Sequence, residues 1–99
     1  MSGADVVIEK DMGITHAEFL RLLPRALGGA EFQVIGTTII FKDQNERTLT
    51  IQLGPESDRR IALMRIPRTM VNLKFQGYDA PALEVFLTHF DHSYQRGGG

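Results

Sequence analysis

Apolar and polar residues alternate strictly from Thr48 to Leu53. Leu49, Ile51 and Leu53 fall on one side of an extended chain, and Thr48, Thr50 and Gln52 fall on the other. A period of two is typical of a strand that buries one face. This stretch therefore predicts the central strand of a sheet, and the neighbouring segments are interpreted by how they extend or cover it.

The stretch from Arg59 to Ile66 begins with the same period and then changes phase, because Met64 and Ile66 are apolar while Arg65 is charged. A β-bulge here would explain the change, since one extra residue exchanges the two faces of a strand. We therefore expect a bulged fourth strand. It ends at Pro67, which cannot donate to a ladder, and the face that Arg65 occupies stays open.

Three more segments have strand character. They cover residues 31–34, 38–42 and 70–75, and each is rich in β-branched or aromatic residues. Their connections are short, which forces antiparallel pairing between neighbours. Residues 6–8 form a short apolar stretch that is either an edge strand or a loose arm, and its shortness favours the arm.

Helical spacing marks one segment on each side of the strands. In the first, Thr15 and Glu18 match a capping box, in which each side chain satisfies a free backbone N–H of the other residue. Pro24 either kinks this helix or ends it, because proline lacks the N–H that a helix needs. The second helix follows Asp79, a suitable N-cap. Its apolar stripe consists of Leu83, Phe86, Leu87, Phe90 and Tyr94.

Together these elements predict an α+β fold. We expect a two-layer sandwich in which an antiparallel meander of four to five strands is flanked by an N-terminal and a C-terminal helix. The chain of 99 residues suits a single domain. That domain spans residues 14–96, after an N-terminal arm or edge strand at 1–13 and before a frayed glycine tail at 97–99.

Composition excludes several classes of chemistry. The chain contains no cysteine, so disulfides, thiolate metal sites and cysteine nucleophiles are ruled out. A small chain without disulfides suits a reducing compartment, and we expect a cytoplasmic protein. No apolar run reaches the length of a membrane span. The formal net charge of −1 is unlike that of a strongly basic nucleic-acid module.

The main charge asymmetry is a basic cluster. It consists of Arg59, Arg60, Arg65, Arg68 and Lys74. Arginine side chains on adjacent strands suit phosphate or carboxylate, which makes an anionic ligand or RNA one alternative. The predicted sheet lacks the exposed aromatic residues that base stacking needs, so nucleic acid is not favoured. The other alternative is a charged strand edge that discourages edge-to-edge pairing.

The sheet face opposite the helices gives the preferred functional hypothesis. Ile40, Ala62 and Met64 are expected to form an apolar strip there, bordered by threonines and arginines. An apolar patch with a polar rim is typical of an interface. We therefore expect a small interaction module whose partner is another protein or a second copy of the chain, with a homodimer formed through this open face.

Residues that could carry catalysis do not form a recognisable set. His89 and His92 are neighbours at helical spacing, but a metal site needs further ligands, and neither a metal nor a cofactor is expected. No serine lies in a Gly-x-Ser-x-Gly turn. A non-catalytic protein is therefore preferred. A small-ligand domain or enzyme with a pocket between sheet and helices remains an alternative, beside the RNA-binding one.

Overall fold

The computed structural model describes residues 5–95 and shows an antiparallel sheet with both helices on one face. The elements are β1 (Val6–Met12), α1 (His16–Ala26), β2 (Gln33–Ile35), β3 (Thr38–Lys42), β4 (Thr48–Leu53), β5 (Ser57–Ile61), β6 (Met64–Gln76) and α2 (Ala80–Gln95). The strand order is β1-β6-β4-β3-β2, and β5 pairs with β6 outside this path. The α+β layout predicted from the sequence is confirmed, with six strands in place of four or five.

The N-terminal segment belongs to the sheet. β1 runs antiparallel to the second half of β6, from Val6 opposite Phe75 to Met12 opposite Thr69. The loose arm that we favoured for this segment is therefore wrong for residues 6–12. Val6, Ile8 and Met12, on alternate positions of β1, pack against the core. The apolar stretch at residues 6–8 did not reveal this contact because Met12 lies outside it. Residues 1–4, residue 96 and the predicted glycine tail lie outside the described residues.

The first helix is capped as the sequence indicates and runs through its proline. The hydroxyl of Thr15 accepts a hydrogen bond from the Glu18 N–H at 3.1 Å. The Glu18 carboxylate pairs with Arg21 instead of returning to Thr15, so the capping box is half formed. Pro24 lies inside α1 without ending it. The helix stops where Gly28 takes a left-handed φ of 67°.

The core lies between the sheet and the two helices. Its fully buried apolar side chains come from both helices and from the central strands: Phe19, Leu23, Ile39, Leu49, Ile51, Val71, Leu73 and Phe90. The rings of Phe19 and Tyr94 stack with centroids 4.9 Å apart, which joins α1 to α2. Since the buried residues of β6 are odd-numbered, its even-numbered residues point to the side that the described helices leave uncovered.

The predicted β-bulge is wrong. Ala62 and Leu63 form a two-residue turn, and the chain reverses there from β5 into β6. The fourth strand expected over residues 59–66 is therefore divided between β5 and the start of β6. The part in β6 continues through Pro67 into the expected fifth strand, and together they form one strand of 13 residues. The apparent change of phase is therefore a hairpin.

The position of Pro67 explains why a proline is tolerated within β6. The Gly54 N–H donates to the Met70 carbonyl at 2.8 Å, so the even-numbered residues of β6 direct their backbone groups toward β4 and β5. The odd-numbered residues, including Pro67, direct theirs toward β1. Pairing with β1 ends at Thr69, so no described strand needs the N–H that Pro67 lacks.

One buried hydroxyl has no partner among residues 5–95. The Tyr78 hydroxyl is buried without a hydrogen bond, while the Tyr94 hydroxyl donates to the Phe19 carbonyl at 2.7 Å. Burial, together with the nearby Asp43 carboxylate, raises the pKa of Tyr78 to about 12. The Tyr78 hydroxyl therefore stays protonated at neutral pH and bears the cost of an unsatisfied donor.

The two tyrosines make a matched test of this interpretation. Tyr78→Phe removes an unsatisfied group, and we expect the free energy of unfolding to rise by about 1 kcal/mol. Tyr94→Phe removes a formed hydrogen bond, and we expect it to fall by about 1 kcal/mol. Urea denaturation at pH 7 measures both. A loss of stability in Tyr78→Phe would show that its hydroxyl is satisfied in solution.

Candidate functional site

A hairpin projects from the end of the sheet. Residues 57–68 comprise β5, the turn and the first part of β6, and their five residue pairs extend about 17 Å. From here on, the arm means this hairpin and not the N-terminal arm that the sequence predicted at residues 1–13. Every residue of β5 is exposed, and the side chain of Leu63 at the tip is 102% exposed. β5 pairs with β6 alone within the described chain. Residues 57–65 are thus exposed on both faces, while Ile66 and Pro67 at the base are half-buried beside Gly13.

The two faces of the arm differ in character. On the side continuous with the uncovered sheet face, Ile61 lies opposite Met64, Arg59 opposite Ile66, and Ser57 opposite Arg68. The other face carries Arg60 opposite Arg65, and Asp58 opposite Pro67. We call Ile61, Leu63, Met64 and Ile66 the arm strip: Ile61, Met64 and Ile66 share this face, and Leu63 lies in the turn at its tip. Ile61 is 52% and Met64 64% exposed.

The structure brings four of the five predicted basic residues together on the arm. The Arg68 guanidinium holds Asp11 of β1 through two nitrogens, at 2.8 and 2.6 Å. This hydrogen bonding lowers the pKa of Asp11, with a smaller contribution from the charge of Arg59. Arg65 lies 3.7 Å from Asp58. Lys74 is set apart, in the sheet, 3.8 Å from Asp5.

Arg59 and Arg60 differ from the other two arginines of the arm because neither forms an ion pair with any described residue. They point to opposite faces of β5, since successive residues of a strand alternate. Arg65, whose face the sequence left open, lies beside Arg60 on the face away from the arm strip. The five basic residues therefore do not form one patch.

The predicted apolar strip of the open sheet face is not assembled. Ile40 lies in β3, level with Thr50 and Lys74. Met64 is at the start of β6, ten residues or about 34 Å from that level. Ala62 is in the turn at the tip. The structure places Ile40 on the sheet and the other two residues on the arm.

The uncovered sheet face itself is mainly polar. Its central rows combine threonine, asparagine, glutamine and lysine side chains with Ile40, and Gln52 joins Thr37 and Thr38 by hydrogen bonds of 2.7 and 2.6 Å. Such a face is stable in water. The apolar surface that the sequence assigned to this face is concentrated on the arm.

The base of the arm is anchored to the connection between β1 and α1. The buried Thr69 hydroxyl donates to the Ile14 carbonyl at 2.7 Å. His16 contacts the chain just before β5: its Nε2 lies 2.6 Å from the Gly54 carbonyl, and its backbone N–H donates to Glu56 at 2.8 Å. With the Arg68–Asp11 pair, these contacts fix the direction in which the arm leaves the sheet.

The concave regions on residues 5–95 include two that border the sheet. One of about 800 Å³ lies near the arm base, beside the Lys10–Asp91 ion pair of 2.9 Å. The other, of about 410 Å³, lies at the far end and is lined by Phe41, Tyr78 and Phe86 among others. The Lys10 amine is held in that ion pair, and neither region contains a hydroxyl hydrogen-bonded to a side-chain base, the usual arrangement of a nucleophilic serine or threonine.

The described residues contain no group of three or more potential metal ligands. The His89 ring lies 3.0 Å from the Arg25 carbonyl and joins α2 to the end of α1. His92 is exposed on α2. Across residues 5–95, neither helix has the length and apolar character to cross a bilayer.

Comparison with known proteins adds no family to this description: no protein-family model, no curated protein and no solved structure matches the chain. The arm is therefore interpreted from its own geometry.

Sequence reasoning missed the arm because its turn lacks the usual signals. Two-residue hairpin turns favour Asn-Gly or a glycine at the first central position, and here that position is Ala62. Ala62 takes a left-handed φ of 57°, which side chains other than glycine adopt at a cost. The one signal that could have revealed the turn is an apolar stretch, Ile61 to Met64, between two segments that each carry a pair of arginines.

The left-handed turn gives a direct test of the arm. Ala62→Gly relieves the strain at this φ, and we expect the free energy of opening the hairpin to rise by about 1 kcal/mol. Amide hydrogen exchange of a dilute sample measures this as an approximately fivefold slowing within the arm. Ala62→Val is the matched control and should speed the same amides. Equal exchange in all three proteins would contradict the turn.

Proposed function

We propose that this protein is a small, non-catalytic interaction module that binds a second copy of itself through the arm. The observation that supports this proposal is the exposed arm strip, held on a hairpin whose residues 57–65 are exposed on both faces. Because its base is anchored to the sheet, the arm loses less orientational freedom on binding than an untethered hairpin would.

The exposed apolar tip is costly for an isolated hairpin. A two-stranded hairpin is marginally stable in water, and three or more strands or a packed layer are usually needed. Leu63 and Met64 place large apolar side chains in water at the point farthest from the core. Packing this surface against another molecule would stabilise the two-stranded hairpin and would also remove the apolar side chains from water.

The arm is suited to packing by its face and not by strand addition. The backbone groups of the free β6 edge include those of Pro67, which has no donor. The free β5 edge carries Asp58 and Arg60, and charged edge residues discourage another strand from pairing there. The arm strip is the surface left for a partner.

The distribution of charge favours a second copy as that partner. The arm has four arginines and one aspartate, a net charge of +3, whereas the whole chain has a net charge of −1. The remainder of each chain therefore has a net charge of −4. The arm of one copy is attracted by the body of another, which steers association and orients it.

Nucleic acid is the alternative partner, because arginine side chains suit the phosphates of RNA or DNA and a two-stranded ribbon fits the major groove of duplex DNA. Two observations count against it. The acidic body repels phosphates, and no aromatic side chain lies within the arm to stack on a base.

Light scattering after gel filtration tests the proposal. We expect wild type to elute with twice the 11.1 kDa mass of the chain. The variant Ile61→Ser/Met64→Ser removes the apolar contact, and we expect a monomer with unchanged circular dichroism. The matched control Val85→Ser changes an exposed apolar residue on α2 and should leave the dimer intact.

A wild-type monomer at high concentration would overturn the proposal. If that monomer also shifted a duplex DNA or RNA probe, with affinity falling steeply as salt rises, the arm would be a nucleic-acid element.

A further inference from the structure

We propose that the surface receiving the arm is the uncovered side of β1 on the second copy, with Arg59 of each copy against Glu9 of the other. This inference rests on the proposed function, since it names where the arm of one copy binds. It follows from the faces, charges and spacing of the described residues.

β1 presents an acidic row on the same side as the arm strip. Asp5, Val7, Glu9 and Asp11 alternate with the residues of β1 that pack toward the core, so all four point to the uncovered side. This row lies along an edge strand, where a partner has access from outside the sheet. Three carboxylates in one row suit a basic partner surface.

Two of the three carboxylates are already matched within the chain. Asp5 lies 3.8 Å from Lys74, and Asp11 is held by Arg68. Glu9 forms no ion pair with any residue from 5 to 95.

On the arm, Arg59 likewise forms no ion pair with a described residue, whereas Arg68 is paired with Asp11. The charge of Arg59 acts on Asp11 only from beyond ion-pair distance. Glu9 and Arg59 are therefore charges of opposite sign on this side of the sheet without an ion pair among residues 5–95. Lys42, the other unpaired cation on this side among those residues, lies at the end of β3 that is distant from the arm.

Arg59 and Glu9 are too far apart to meet within one chain. Arg59 lies level with Ile66 on β6, while Glu9 lies level with Asn72. Six residues of an extended strand separate these levels by about 20 Å. An ion pair between Arg59 and Glu9 therefore requires two copies.

Apolar residues beside the acidic row suit the arm strip. Val7, 60% exposed, stands between Asp5 and Glu9, and Met70, 41% exposed, lies opposite Asp11. Ile61 and Met64 of an incoming arm can cover these side chains while Arg59 approaches Glu9. Under twofold symmetry the same contact forms twice, as an isologous dimer requires.

Charge exchange between copies tests this inference. Arg59→Glu and Glu9→Arg each place like charges in both contacts, and we expect each to raise the dimer Kd by about tenfold or more. An equal mixture of the two variants restores an opposite pair at both contacts of the heterodimer. We expect the mixture to recover nearly the wild-type Kd, measured by sedimentation equilibrium.

Matched controls separate this contact from general charge effects. Arg60→Glu reverses the neighbouring residue on the opposite face of β5, and Glu84→Arg reverses an exposed carboxylate on α2 that forms no ion pair in residues 5–95. Each control should form its own homodimer with the wild-type Kd. Neither should restore tight binding to Arg59→Glu or Glu9→Arg when it is mixed with that variant.

The outcomes distinguish the inference from the proposed function. Recovery in the mixture supports the Arg59–Glu9 contact. Loss without recovery, or no loss in either variant while Ile61→Ser/Met64→Ser is monomeric, overturns β1 as the receiving surface and leaves the arm as the contact element. A monomeric wild type overturns both.

Discussion

The continuity of β6 is the constraint on which the rest of the structure depends. Its second half lies between β1 and β4, and Val71, Leu73 and Phe75 are buried there beneath the helices. Its first half continues in the same strand as one side of the arm. Because alternation along a strand does not change without a bulge, packing in the core decides which arm residues face the uncovered side. The arm inherits both its direction and its two faces from the core.

This constraint also explains the distribution of apolar surface. The two helices cover one face of the sheet, and the other face carries mainly polar and charged side chains that water can solvate. Three of the exposed large apolar residues, Ile61, Leu63 and Met64, lie together where β6 has passed the end of the body, and the others are spread over the sheet and α2. A single domain that needed only stability would gain by shortening this hairpin. Its length, its anchored base and its tip are instead consistent with a contact element.

The sequence predicts the layers of the fold better than it predicts the arm, the proposed contact surface. The alternation from Thr48 to Leu53, the cap at Thr15 and the stripe of the second helix each depend on local periodicity, and the structure has all three. The hairpin was misinterpreted for a definite physical reason. Ile61 and Met64 share a face across a two-residue turn, and this odd spacing in sequence is the same as that produced by a bulge in a continuous strand. Ala62 gives no glycine signal, and Pro67 is tolerated because no described strand pairs with its side of β6.

The hairpin that was interpreted as a bulge also led to the wrong placement of the predicted basic and apolar site residues. Once the turn is recognised, Ala62 and Met64 move from the sheet to the arm, and Arg59 and Arg60 fall on opposite faces. The predicted interface residue Ile40 stays on the polar sheet, far from both. The residues of β1 were not identified as candidates, since a stretch of three apolar residues did not indicate a full edge strand.

The most direct test of the account is amide hydrogen exchange as a function of protein concentration. In a dilute sample the arm is a marginal hairpin, so its amides should exchange quickly. As concentration rises, we expect slower exchange across residues 57–68 and along β1, with helix amides unchanged. Fast exchange in the arm at every concentration would show that no second copy covers it, and would contradict the central claim.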